Sequence, residues 1–81
     1  MHTFDTIIKD IQEITDDVKI YTSDDENWVK YSTLHGHYDD NYFSIVLMDD
    51  GNSIQLRISN TTDDKFFWYE FLRKYVKVVI F

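Results

Sequence analysis

Apolar positions recur along this chain with two different periods. Over residues 3 to 15, Phe4, Ile7, Ile8, Ile11 and Ile14 follow three- and four-residue spacing, with Asp5, Lys9, Asp10 and Glu13 on the other side. That spacing predicts an amphipathic helix. Thr3 suits its N-cap and Asp5 its first turn, where the helix dipole favours negative charge; Thr15-Asp16-Asp17 ends it. From residue 18 the period drops to two. Residues 18 to 22 (VKIYT) predict a strand with Val18 and Ile20 inward, and Ser23-Asp24-Asp25-Glu26-Asn27 forms a polar connection. Residues 28 to 35 predict a second strand with apolar groups on both faces. His35 to Asn41 reads as a turn or an extended hairpin tip, and residues 42 to 48 as a third strand. Asp49-Asp50-Gly51-Asn52 is the clearest turn, because Asp-Gly supplies the positive φ of a tight hairpin. Residues 53 to 59 then alternate cleanly, with Ile54, Leu56 and Ile58 inward.

A second helix is predicted over about 62 to 75. Thr61 or Thr62 suits its cap, Asp63 and Asp64 its first turn, and Arg73 and Lys74 its last. The closing VKVVIF is rich in β-branched residues and reads either as a short last strand or as more helix. The expected fold is α+β: an N-terminal helix, a three- to four-stranded antiparallel meander and a C-terminal helix, with a short final strand as the open alternative. The helices pack on one face of the sheet. With no proline, two glycines and no repeat, residues 1–81 read as a single compact domain.

Composition narrows the function. Apolar residues are 43% of 81, enough for a globular core, and aromatics are 17%, so a few rings can fill it. No cysteine is present, which excludes disulfides, thiolate zinc sites and thiol catalysis. No apolar run approaches the roughly 18 to 20 residues of a membrane span, and there is no cationic, apolar N-terminal signal; the expected location is the cytoplasm. Fifteen acids against eight bases give a net charge of −7, which disfavours direct contact with nucleic acid or an anionic membrane.

The acids come as adjacent pairs: Asp16-Asp17, Asp24-Asp25 with Glu26, Asp39-Asp40, Asp49-Asp50 and Asp63-Asp64. Residues 1 to 64 hold 14 acids and 4 bases, a net of −10; residues 65 to 81 hold 1 acid and 4 bases, a net of +3. Aspartate suits turns and helix starts because its side chain bonds nearby backbone N–H groups, and an acidic surface keeps a small protein in solution. One aspartate per junction would serve those ends; two repel each other. In a meander the loops after the first and third strands share one end, with Asp39 and Asp40 at the other. Carboxylates fixed in this way can enter a groove of lysines and arginines built for phosphates and displace counterions as DNA does. That is competitive mimicry, and it needs no catalysis.

The helix Phe4 to Ile14, the strand Val18 to Ile20 and the run from Asp49-Asp50-Gly51-Asn52 through Ile58-Ser59 resemble the small acidic anti-CRISPR proteins of phages that inhibit Cas9. The resemblance covers about residues 4 to 75. It implies that acidic loop residues occupy the site where Cas9 reads its short DNA recognition motif. Carried onto this chain, those residues are Asp24, Asp25, Glu26, Asp39, Asp40, Asp49 and Asp50. The aromatic second helix departs from that family.

That helix carries Phe66, Phe67, Trp68, Tyr69, Phe71, Leu72 and Tyr75. Phe67, Phe71 and Tyr75, four residues apart, are expected to face the core. Trp68 or Tyr69 then becomes an anchor for a partner or a homodimer, since exposed rings are typical hot spots, and the apolar end VKVVIF invites edge pairing. His35, His37 and Asp39 spell H-x-H-x-D, a metal-like spacing without further ligands; a hairpin tip with exposed imidazoles is the plainer reading. A calcium loop starting at Asp49 would need Glu at its twelfth position, where Asn60 stands. No phosphate loop, serine elbow or dinucleotide fingerprint occurs. No metal, cofactor or catalytic residue is expected.

Three functions remain. The first is a phage anti-defence protein that inhibits a basic nucleic-acid-binding enzyme, with Cas9 and its guide RNA as the expected partner. The second is an immunity protein or antitoxin covering a basic nuclease site. The third is a dimerising interaction module using the aromatic helix and the last strand.

Overall fold

A computed structural model describes residues 4–24 and 30–80. The elements are α1 (Phe4–Ile14), β1 (Val18–Asp24), β2 (Lys30–Tyr38), β3 (Asn41–Asp49), β4 (Ile54–Ile58), α2 (Lys65–Leu72) and β5 (Val78–Ile80). The five strands lie in the order β1-β2-β3-β4-β5. The first four pair antiparallel, and β5 joins β4 in parallel. A parallel partner requires a crossover, and α2 supplies it. The fold is therefore α+β, and the ambiguous C-terminal run is a strand.

Both helices lie on one face of the sheet. α1 buries Phe4, Ile7 and Ile11, as its spacing predicts. They meet Leu34 of β2, Phe43, Ile45 and Leu47 of β3, Leu56 and Ile58 of β4 and Val78 of β5, with Trp68 and Leu72 from α2. Buried positions alternate within each strand and the register sets them side by side on one face, so the other face of the sheet is a separate surface. Among the described residues no element covers it. The Thr3 cap, like Trp28 and Val29 at the start of the expected second strand, lies outside the described residues.

Three expectations are corrected. His35 to Tyr38 belong to β2, and the turn is Asp39-Asp40 alone. Gly36 marks a close approach of backbone to backbone: a Cβ built there would stand 1.8 Å from the Asp17 carbonyl oxygen. The α1–β1 connection crosses β2 at this point, and the Asp17 carbonyl accepts a hydrogen bond from the His37 amide at 2.9 Å. The Thr15 hydroxyl also donates to the His37 carbonyl, at 2.6 Å.

Helix α2 begins later than expected, at Lys65, because its expected caps are engaged elsewhere. Buried Thr62 exchanges hydrogen bonds with the Ser44 backbone, accepting from its amide at 2.9 Å and donating to its carbonyl at 3.0 Å. Asp63 does the same for Tyr42: its amide donates to the Tyr42 carbonyl at 2.7 Å, and its carboxylate accepts from the Tyr42 amide at 3.1 Å. Asp64 occupies the N-cap in the left-handed region, with no side-chain cap. The segment that looks like a helix start is instead a strap along β3.

The rotation of α2 follows. Trp68 is 1% exposed, with its ring centroid 4.4 Å from that of Phe43. Leu72, one turn on, is fully buried. The expected inward face, Phe67, Phe71 and Tyr75, is a half-buried flank: Phe67 stacks on Tyr38 at 4.9 Å and on Phe71 at 5.9 Å. Phe66 is the exposed ring, at 76%. The Tyr75 hydroxyl reaches back to Asp10 of α1 and donates to its carboxylate. Burial, and then this bond, push the phenol well above the usual tyrosine range.

Candidate functional site

Alternating strand direction brings the start of β1, the β2–β3 turn and the exit of β4 to the same end of the sheet. The hydrogen bonds that join Thr15 and Asp17 with His37, and Asp63 with Tyr42, fasten the three segments there. Segments 15–17, 37–42 and 59–64 contain Asp16, Asp17, Asp39, Asp40, Asp63 and Asp64, one histidine, and no lysine or arginine. All six aspartates are exposed. Among the described residues, the one internal partner of their side chains with ionic character is His37, whose Nδ1 lies 3.0 Å from the Asp17 carboxylate, both groups more than half exposed. Exposed pairs of this kind contribute little to stability, so the negative field at this end remains available to a partner.

The Asp39-Asp40 turn has φ of 53° and 64°. Left-handed backbone at both central residues is the demand of a tight hairpin, which Asn-Gly meets at least cost. Here two aspartates meet it, and both point into solvent.

The opposite end differs. Asp49 and Asp50 form the β3–β4 turn around Gly51 at φ 88°, and their carboxylates are turned back onto it. Asp49 accepts from the Gly51 amide, and Asp50 accepts from the Asn52 and Ser53 amides, each at 2.9 Å. Those amides hold the Asp50 carboxyl below its ordinary range. Lys30 stands in register between Asp24 and Asp49, and Lys77 lines a shallow groove with Gln55, Arg57 and Val79 beside β5. This end is acidic but interleaved with bases. Asp25 and Glu26 lie outside the described residues.

The sheet's outer face has a third character. Its outward positions are Lys19, Tyr21 and Ser23 on β1, then Tyr31, Thr33, His35 and His37 on β2. Tyr42, Ser44, Val46 and Met48 follow on β3, Gln55 and Arg57 on β4, and Val79 on β5. No carboxylate stands among them. Tyr21 is 61% exposed and stacks on His35, centroids 5.5 Å apart and planes within 8°. His37 meets Tyr42 edge-on at 5.8 Å.

The expected site residues therefore divide. Asp39 and Asp40 sit in the bare acidic cluster; Asp49 and Asp50 sit at the far end. Trp68 is no anchor: it fills the core between helix and sheet, where its area is worth more than on the surface. Tyr69 is half-buried and packs against the core. In the sequence Asp16, Asp17, Asp63 and Asp64 are junction residues, and the strand directions unite them with Asp39 and Asp40. Among the described residues no group of three histidines and acids is arranged to hold a metal ion, and His35 and His37 are engaged with Tyr21 and Asp17. No described helix is long and apolar enough to cross a membrane.

No protein-family model, curated protein or solved structure matches this chain.

Proposed function

We propose that this protein inhibits a basic nucleic-acid-binding protein by presenting carboxylates to the groove that otherwise holds a polynucleotide. The observation that carries this reading is the gathering of six aspartates, with no lysine or arginine in the same segments, at one end of a rigid sheet. A groove lined by arginine and lysine gains charge-assisted hydrogen bonds to fixed carboxylates and releases its counterions as it would to DNA. The favoured target is a CRISPR Cas9 nuclease with its guide RNA, blocked where it reads the short recognition motif of its DNA. The protein in this reading is not an enzyme and uses no cofactor.

The test is competition. Purified protein is titrated into Cas9–guide RNA with labelled target duplex, and DNA binding and cleavage are followed as salt rises from about 50 to about 500 mM. The expected result is loss of DNA binding at low salt, recovered steeply at high salt. Replacing Asp39, Asp40, Asp63 and Asp64 together with Asn should remove inhibition while the circular dichroism spectrum stays unchanged. Full inhibition by that variant ends the reading. Inhibition confined to a nuclease without guide RNA moves the target to the immunity-protein class.

A further inference from the structure

We propose that the outer face of the sheet is a protein-docking surface, and that its occupant is a protein surface with a neutral apolar centre flanked by arginines and lysines. This deepens the inhibitory reading and rests on it for the flanking charges. In a chain with fifteen acids, the outward strand positions carry none, although they face solvent and tolerate charge. Among what they carry instead are Tyr21, Tyr31, Met48 and Arg57, residue types that enrich interface centres, from which Asp and Glu are depleted, with Val46 between them adding apolar area. Tyr21 and Val79 are 61% and 49% exposed, so apolar area lies open.

Charge complementarity selects the occupant. Carboxylates stand at both ends of the face, bare at Asp39 and Asp40 and interleaved with Lys30 and Lys77 at Asp49 and Asp50, and β2 with its nine residues spans roughly 30 Å between them. Lys19 and Arg57 lie within the face, so the middle of the partner is not itself cationic. Nucleic acid is repelled by the acidic ends. A second copy stacked sheet on sheet brings those ends against each other, so self-association on this face is disfavoured as well. A basic partner with an apolar centre satisfies both regions at once.

The probes are two synthetic peptides of equal length with arginine triplets at both ends. One has an alternating valine–threonine centre, the other a glycine–serine centre. Calorimetric titration against the full chain should give about tenfold tighter binding to the valine–threonine peptide. Tyr21→Glu and Val46→Glu should each erase that gain, while Phe66→Glu, on the helical side, leaves it; Tyr21 stands exposed on an edge strand, so its variant keeps the fold. Equal, salt-sensitive binding of both peptides overturns this inference and leaves the electrostatic reading standing. A gain that survives both sheet-face variants places the peptide elsewhere, such as on a strand edge, and also overturns it. A gain without salt dependence supports the docking face and removes the electrostatic reading. Binding of neither peptide ends both.

Discussion

Tyr42 and Asp63 are joined through their backbones, yet they belong to surfaces of different chemistry. Tyr42 opens the outer face of the sheet, whose described positions hold rings, hydroxyls, two aliphatic residues, a methionine, a glutamine, a lysine and an arginine, with no carboxylate. Asp63 belongs to the sheet's end, where three segments that hold six aspartates and no lysine or arginine meet. Local preference explains part of this, since aspartate suits turns and is poor in strands. It does not explain doubling the aspartate at each junction. It explains still less why Asp39 and Asp40 hold the left-handed backbone that Asn-Gly would occupy with less strain. The comparison teaches that the two surfaces are segregated beyond what the fold needs.

The strongest perturbation removes both surfaces together. Trp68→Ala deletes a fully buried indole, and such truncations cost about 3 to 5 kcal/mol. That is a large share of the stability of a small domain. Urea denaturation should show most of the cooperative transition lost. An unchanged midpoint with lost partner binding would mean that the ring is a surface anchor after all. Gly36→Ala acts on the acidic end first, since its methyl group must displace the Asp17 carbonyl; overpacking of this kind costs about 3 kcal/mol. Hydrogen exchange at the His37 amide should accelerate more than that of the β3–β4 ladder.

Tyr75→Phe spares both surfaces and removes the bond from the α2–β5 connection to Asp10, at a cost of about 1 to 2 kcal/mol. The raised phenol implies stability that is complete below the ordinary tyrosine value of about 10 and lost only as pH rises through the higher folded value. The difference in melting temperature between this variant and the parent should therefore be flat across neutral pH. Replacing Asp39 with Asn and Asp40 with Gly should sharpen the contrast: the turn relaxes and the domain gains about 1 kcal/mol, while binding to a basic partner weakens. A variant that gains stability and binds as before would detach these aspartates from function. The smallest effect belongs to Asp50→Asn. The lowered Asp50 value means that its bonds to Ser53 and Asn52 stabilise fully above the ordinary aspartate range and fade as pH falls through the folded value. Melting curves of variant and parent should differ slightly at neutral pH and converge in acid.

Much of this architecture is legible in the sequence. The isoleucine spacing of α1 and the alternation of Ile54, Leu56 and Ile58 predict elements and faces correctly, because burial on one side imposes a period. The errors have local causes. Gly36 reads as a turn until the Asp17 carbonyl is seen above it. Thr61-Thr62-Asp63-Asp64 reads as a helix cap until Thr62 and Asp63 are seen bonded to β3. A helix aromatic on all sides does not reveal its rotation, so Trp68 takes the core place expected of Phe67, Phe71 and Tyr75. For the acidic cluster the signal was present. In an antiparallel meander the residues before the first strand and after the fourth reach the same end as the second turn, and that rule alone unites Asp16, Asp17, Asp63 and Asp64 with Asp39 and Asp40.

The bond from Tyr75 to Asp10 spans 65 positions of the chain. During synthesis the opening helix can lie on the meander as soon as β4 has emerged. Its polar clasp forms only after the crossover helix has left the ribosome. Until α2 docks, Phe43 lacks the indole that covers it, and an uncovered ring of this kind is what makes a partly folded chain prone to association.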